Sequence, residues 1–327
     1  MKKIFAALLA LTLLFTLTAA CRKSAAPAAD GDGTDASLSE TAPEAAPERQ
    51  PGMFTFTEEN YPRMGGSLAN LPLGEAVTAT VLEISREEAD KKIVFAGSTT
   101  DNYKALCDGQ FDILLAYEPS EEAKEYIKTT NVPLEMTPIG VDALVFICSL
   151  ENEVTSLTID QIKEIYRGNI TKWSEVGGVV SDIIPYQRNA DSGSQTLFDK
   201  LINLGSELMV PSEYQVIGSM LGLLEAVADY DDSKDALGYT VYYYLTNMEA
   251  DKLSTSKILD VEGVTPSNET IGSGAYPLTN DFYAVIRASA AEDSPERVLY
   301  NWICSEQGRA LVEKENYPVH TPAEAAD

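Results

Sequence analysis

The chain has 327 residues, 51 of them acidic and 24 basic, for a formal net charge of -27. That charge excludes nucleic acid and an anionic membrane face as partners, because both are polyanions. It does not exclude a small anion: charges beyond about 8 Å are largely screened at physiological salt, so a few aimed amides and one Arg set the local affinity.

Met1-Lys2-Lys3, the apolar run Ile4 to Leu17 and then Thr18-Ala19-Ala20-Cys21 have the order of a bacterial export signal peptide. Ending on Cys is similar to the lipobox of bacterial lipoproteins, so residues 1–21 are expected to be removed up to a lipidated Cys21; the alternative is a plain secretory signal cut elsewhere. No later apolar run approaches the length of a bilayer span, so attachment would be by lipid alone. Arg22 to Gly52 is built from Ala, Pro, Glu, Asp, Ser, Thr and Gly with almost no large apolar residue, the composition of a disordered tether. Cys107, Cys148 and Cys304 then remain, an odd number placed inside apolar runs, which reads as small core residues. The single histidine, His320, leaves no His-based metal site and no Ser-His or Cys-His pair. Neither a metal, a cofactor nor catalysis is therefore expected.

From Phe54 onward short apolar runs alternate with helical patterns, predicting an α/β fold. The spacing predicts a strand at Ile93 to Phe95, a helix from Thr100 to Cys107, a strand from Phe111 to Ala116, a helix from Ser120 to Lys128 and extended chain from Leu134 to Ser149. Thr158 and Gln161 form a capping-box pattern ahead of a helix that stops at Gly168. Ile183 to Tyr186 reads as a strand, Gln195 to Leu204 and Ser219 to Asp229 as helices, and Leu237 to Leu245 as an aromatic-rich packing segment. Strands follow at Lys257 to Val261 and Asp281 to Ile286, with turns at Thr265 to Asn268 and Gly272 to Gly274 between them, and helices at Pro295 to Cys304 and Gln307 to Lys314 close the chain.

Three stretches put Gly and a hydroxyl at a helix start: Gly65-Gly66-Ser67-Leu68, Gly97-Ser98-Thr99-Thr100 and Ser192-Gly193-Ser194. Backbone amides there lack intrahelical partners and the dipole favours negative charge, which suits an anion; each turn read by itself is equally an ordinary Ser cap. Arg188, four residues ahead of Ser192, adds a planar fork that matches two oxygens of a tetrahedral oxyanion or a carboxylate.

From about Tyr61 to Tyr317 the chain resembles the phosphate-binding proteins that feed bacterial ABC phosphate importers. Ile165-Tyr166-Arg167-Gly168-Asn169-Ile170-Thr171-Lys172-Trp173 matches that family's Ile-Tyr-x-Gly-x-Ile-x-x-Trp, and Arg188 with Ser192-Gly193-Ser194 looks like its Arg-x-x-x-Ser-Gly-Thr loop. Leu237-Gly238-Tyr239 and Tyr276-Pro277-Leu278-Thr279 are similar to family segments too. The resemblance implies a two-lobed periplasmic-binding-protein-like fold whose crossover strands form a hinge, with residues 53–147 and 272–327 in one lobe and 148–271 in the other. It implies phosphate held in the cleft by Ser67, Leu68, Ser98, Arg188, Ser192, Gly193 and Ser194, and delivery to the membrane subunits of an ABC permease from the extracytoplasmic face of the cell membrane. Where the family carries an Asp that accepts the proton of hydrogen phosphate, this chain has Tyr117, followed by Glu118. Tyr117, Glu118 and Asp191 are thus the candidate acceptors, and discrimination against sulfate turns on them. Competing readings are another oxyanion or small anionic metabolite, a sensor or adhesion module with a vestigial pocket, and a phosphoester hydrolase, which would need metal ligands or an activated nucleophile that this composition lacks.

Overall fold

A computed structural model describes residues 54–228 and 235–321. The signal segment, Cys21, the tether and Asp229 lie outside the described residues. Strands β1 (Met64–Gly66), β2 (Ile113–Ala116) and β3 (Leu134–Ser149) alternate with helices α1 (Leu71–Leu82), α2 (Arg86–Asp90), α3 (Thr99–Cys107) and α4 (Glu121–Thr130). Then come β4 (Ser156–Leu157), α5 (Ile159–Tyr166), β5 (Ile184–Pro185), β6 (Gln187–Arg188), α6 (Gly193–Ile202), β7 (Val216–Ile217), α7 (Met220–Ala228) and β8 (Ala236–Val241). The chain closes with β9 (Ser256–Ile258), β10 (Asp260–Val261), α8 (Asn268–Gly272), β11 (Thr279–Arg287), α9 (Pro295–Ile303) and α10 (Glu306–Lys314).

The longest strand organises the molecule into two lobes. From Leu134 to Ala143, β3 pairs antiparallel with β11, which in turn pairs with β2 and so with β1. From Leu144 to Cys148 it pairs with β8, which carries β5 on its other side, while Ile147 to Ser149 also meet β9. One strand therefore belongs to both halves, and its partners change between Ala143 and Leu144. Its residues from Val141 to Ser149 are all buried, as a strand covered on both faces requires. At the change of partners the Asp142 side chain ties the halves together, accepting from the Tyr117 hydroxyl at 2.6 Å and from the Tyr243 amide at 3.1 Å.

Several local expectations are corrected. Ile93 makes only an isolated bridge to Met64, so no strand forms at Ile93 to Phe95 before the chain turns at Gly97, whose φ is 99°. Residues 257–261 form two short strands with different partners, because β9 follows β3 and β10 follows β4. Between the two expected turns at 265–268 and 272–274 sits α8, started by a Ser267–Thr270 capping box. The aromatic segment, expected as packing, is buried at Tyr239, Tyr243 and Tyr244; it leaves the sheet past Val241 and coils into a π-helical turn at Tyr244–Met248. The run at 257–261, too short to carry a periodicity, was decided by its partners elsewhere in the fold.

Candidate functional site

The first turn is built by close strand approach. A Cβ on Gly66 would overlap the Leu115 carbonyl, and one on Gly65 would lie 2.7 Å from the Phe111 ring, so only glycines let β1 sit this tightly on β2. Ser67 is thereby delivered to the end of β1. Its Oγ accepts from the Tyr117 amide at 3.1 Å and lies 3.0 Å from the Thr99 hydroxyl. Leu68 opens a short 3-10 turn that leads into α1.

At the second turn Ser98 caps α3, accepting from the Asp101 amide at 3.0 Å and donating to the Asp101 carboxylate at 2.8 Å. Asn102 locks the first two turns together: its Oδ1 accepts from the Gly66 amide at 3.1 Å and its Nδ2 donates to the Ser98 carbonyl at 2.7 Å.

The third turn comes from the other lobe. Ser192 caps α6, and Arg188 is the last residue of β6, paired parallel to β7. The Arg188 amide donates to the Tyr239 hydroxyl at 3.0 Å and to Gln195 Oε1 at 3.1 Å, so the backbone cannot swing. Its guanidinium donates from Nε to the Ile217 carbonyl at 2.8 Å, from Nη1 to Ser194 Oγ at 3.1 Å and from Nη2 to the Gly218 carbonyl at 3.3 Å. An Arg carries five N–H donors, which leaves two unengaged. Arg188 is 7% exposed and forms no ion pair among the described residues; burial lowers its pKa from the ordinary Arg value.

The three turns meet around one cavity of about 130 Å³. All of the expected anion holders, Ser67, Leu68, Ser98, Arg188, Ser192, Gly193 and Ser194, line it. The backbone amides of Leu68, Thr99, Gly193 and Ser194 donate to no acceptor among the described residues, as the first turn of a helix leaves them. The halves touch across it: a Cβ on Gly193 would come within 2.9 Å of Thr99 Oγ1, and the Thr100 hydroxyl donates to the Asp191 carbonyl at 3.1 Å. The volume is near that of a void that holds one benzene ring, roughly 150 Å³, so the space suits a single small ion and not a nucleotide.

The candidate proton acceptors are placed differently. The Tyr117 ring lines the cavity, but its hydroxyl points inward to Asp142. Burial, with the Asp142 carboxylate beside it, holds that phenol well above the ordinary tyrosine range. Asp142 itself is pushed up to about 6 by burial, against the opposing bonds from Tyr117, Ala143 and Tyr243. Glu118 accepts from Lys200 Nζ at 2.7 Å and from the Tyr283 hydroxyl at 3.0 Å, and does not line the cavity. The Asp191 carboxylate accepts from Asn189 Nδ2 and does not line it either. Sequence reasoning missed Thr99, Asn189, Phe95, Val241 and the segment Gly218-Ser219-Met220, which also line the cavity, and the positioning role of Tyr239. The hydroxyl following the Ser98 cap was the one local signal among them. No group of three or more His, Cys, Asp or Glu among the described residues could hold a metal ion, and the three cysteines are free thiols.

The site is thus a donor-lined, ion-sized cavity between two α/β lobes that share a strand. The sequence model of the family described as PBP superfamily domain matches residues 72–303, and the chain belongs to that family. It is 27% identical over 215 residues to the phosphate-binding protein PstS of Bacillus subtilis (strain 168), a match covering 66% of this chain and 66% of the relative, so the chain spans just under two thirds of that protein's length. Its fold resembles a putative phosphate ABC transporter substrate-binding protein with bound phosphate from Clostridium perfringens, with TM-score 0.62 and 24% identity over 79% of this chain and 98% of that one. It also resembles an ABC-type phosphate transport receptor from Vibrio cholerae, with TM-score 0.57 and 22% identity over 79% and 99% of the two chains. No helix among the described residues is long and apolar enough to cross a membrane.

Proposed function

We propose that the chain binds inorganic phosphate or a closely related tetrahedral oxyanion in the interlobe cavity, and that it hands the ion to the membrane subunits of an ABC permease at the extracytoplasmic face of the cell. The observation that carries this reading is Arg188: a buried guanidinium with no carboxylate, two spare donors, and unpaired amides from three helix starts around the same small space. A cation in that position lacks its counter-charge until an anion arrives. The names of the relatives, phosphate-binding protein and phosphate ABC transporter substrate-binding protein, support both the ligand and the permease. They are names of binding proteins, and the chain is read as one and not as an enzyme.

Within this reading the anion is held by Ser67, Leu68, Ser98, Arg188, Ser192, Gly193 and Ser194, with Leu68 and Gly193 acting through their amides. The lobes exchange chain near 147/148 and 271/272 and close about β3; that β3 changes partners between Ala143 and Leu144 supports the closure about this strand, four residues ahead of the first boundary. Cys21 carries a lipid that keeps the protein at the membrane, and Cys21→Ser should move it from the membrane fraction to the soluble one. Titration calorimetry of the purified protein with phosphate is the direct test. Micromolar affinity needs about 8 kcal/mol, within reach of several charge-assisted bonds of about 1.5 to 3 kcal/mol each less the cost of closure. Absence of heat with phosphate and with sulfate alike rejects the reading.

A further inference from the structure

The cavity lining is of two unlike kinds. One is a set of donors: the two spare Arg188 N–H groups and the amides of Leu68, Thr99, Gly193 and Ser194. The other is apolar, made by the side chains of Leu68, Ala69, Phe95, Met220 and Val241. No carboxylate lines the cavity among the described residues.

The remaining oxygens are neutral, and most already accept one hydrogen bond from the protein. Ser67 Oγ accepts from the Tyr117 amide, Ser98 Oγ from the Asp101 amide, Ser192 Oγ from the Gln195 amide and Ser194 Oγ from Arg188. The Ile217 and Gly218 carbonyls accept from Arg188 as well. Asn189 turns its Nδ2 to Asp191, and its Oδ1 is enclosed by protein without a partner. An anion oxygen that carries a proton meets donors and neutral oxygens here but no carboxylate, so it forgoes a charge-assisted bond of about 1.5 to 3 kcal/mol. A carbon substituent in the same place carries no such cost and covers the apolar lining.

We propose that, beyond inorganic phosphate, the cleft takes a monosubstituted R–PO3 dianion with a short alkyl group, a phosphonate or a phosphate monoester, and holds it more tightly than phosphate itself. Three oxygens face Arg188 and the helix starts, and the substituent lies against Met220, Phe95 and Val241. This rests on the anion-cleft reading above and narrows its ligand class.

Titration calorimetry of the purified protein with inorganic phosphate, sulfate, methylphosphonate and methyl phosphate tests it, at a pH where phosphate is the singly protonated dianion and the other three are proton-free dianions. The expected result is a methyl compound binding about fivefold to a hundredfold more tightly than phosphate, with sulfate within about tenfold of phosphate. If the monoester alone shows the gain, the bridging oxygen is part of recognition; if the phosphonate shows it too, the R–PO3 group suffices. Both results support the proposal. Phosphate binding as tightly as the methyl compounds or more tightly, or sulfate giving no heat while phosphate binds, overturns it and leaves the anion cleft standing; silence with every anion removes the cleft reading too. Met220→Gln gives an internal control, since the Gln carbonyl offers a free acceptor in the apolar lining. It should move the preference back toward inorganic phosphate by roughly threefold to tenfold. An unchanged preference in a variant that still binds overturns the assignment of that lining to the substituent.

Discussion

Arg188 and Arg297 are equally withdrawn from water, each 7% exposed, yet they are opposite in kind. Arg297 pairs with Glu135 at 2.8 Å and lies over the Tyr300 ring at 5.5 Å, and the Glu135 bond raises its pKa. The Arg188 guanidinium hydrogen-bonds only two carbonyls and a hydroxyl, with no carboxylate in ion-pair contact among the described residues, and burial lowers its pKa. The first arginine has its counter-charge as the chain folds. The second is held in shape by neutral acceptors that fix its plane without cancelling its charge, which keeps it available for something that comes from outside. Burial alone does not distinguish a structural charge from a functional one; the identity of the partners does.

The comparison breaks most sharply by truncation. Arg188→Ala should remove most anion binding, a loss of at least about thirtyfold, since leaving a bound charge without its buried partner costs about 2 to 5 kcal/mol. Its unliganded melting temperature should stay near that of the parent, because an unpaired buried cation contributes little to folding. Arg297→Ala should do the reverse, binding normally while unfolding at lower temperature. The Glu135 side of that pair is 43% exposed, so the loss is on the order of 1 kcal/mol. Calorimetry and thermal unfolding of both variants check the pair. Equal effects on binding would dissolve the distinction.

Asp142 is a third buried charge, and it sharpens the contrast by titrating. Its carboxyl is raised to about 6 against an ordinary 3.8, so the folded state takes up a proton at higher pH than the unfolded chain does. The sign follows: this group opposes folding least below about pH 4, and its opposition grows through the window from 4 to 6 and is full above it. A shift of about two units corresponds to roughly 2 to 3 kcal/mol. Asp142→Asn should therefore gain stability relative to the parent as pH rises from 4 to 7. Denaturant titrations of both proteins at several pH values read the difference, and a constant difference would show that Asp142 stays ionised throughout.

Gly193 asks whether the anion must be gripped from both lobes. Gly193→Ala places a methyl 2.9 Å from Thr99 Oγ1, across the cleft. Closure should suffer by about tenfold in affinity, near 1.4 kcal/mol, while the unliganded protein keeps its stability or gains slightly from the better helix former. Unchanged affinity would mean that the lobes need not approach this closely.

Much of this arrangement was legible from local pattern. Helix starts at Ser98, Thr158 and Ser192 carry a cap residue at a fixed offset from an apolar stripe, and all three cap as expected. The α/β alternation and the long extended run at 134–149 were legible for the same reason. What stayed hidden depends on contacts across the fold. Tyr117 was assigned by its place in the chain, and nothing near it in sequence says that its hydroxyl turns inward to Asp142, 25 residues on. Met220 and Val241 meet Leu68 at the cavity only because β7 follows β6 and β8 follows β3.

Glu118 shows the same limit and gives the smallest effect. Its partner Lys200 is 82 residues away and belongs to α6, the helix whose first turn faces the anion. Lys200 also donates to Asn280 at 2.6 Å, so one side chain on the second lobe reaches two residues on the first. Both ends of the ion pair are partly solvated, at 46% for Lys200 and 25% for Glu118, and such pairs contribute between nothing and about 1 kcal/mol. Because the pair bridges the lobes, whatever it contributes should appear in closure and not in folding. Lys200→Ala should weaken anion binding by no more than about fivefold, and the loss should shrink as salt is raised. A loss as large as that of Arg188→Ala would place a second essential charge outside the cavity, and the partners of a buried cation would no longer be enough to tell a waiting charge from a finished one.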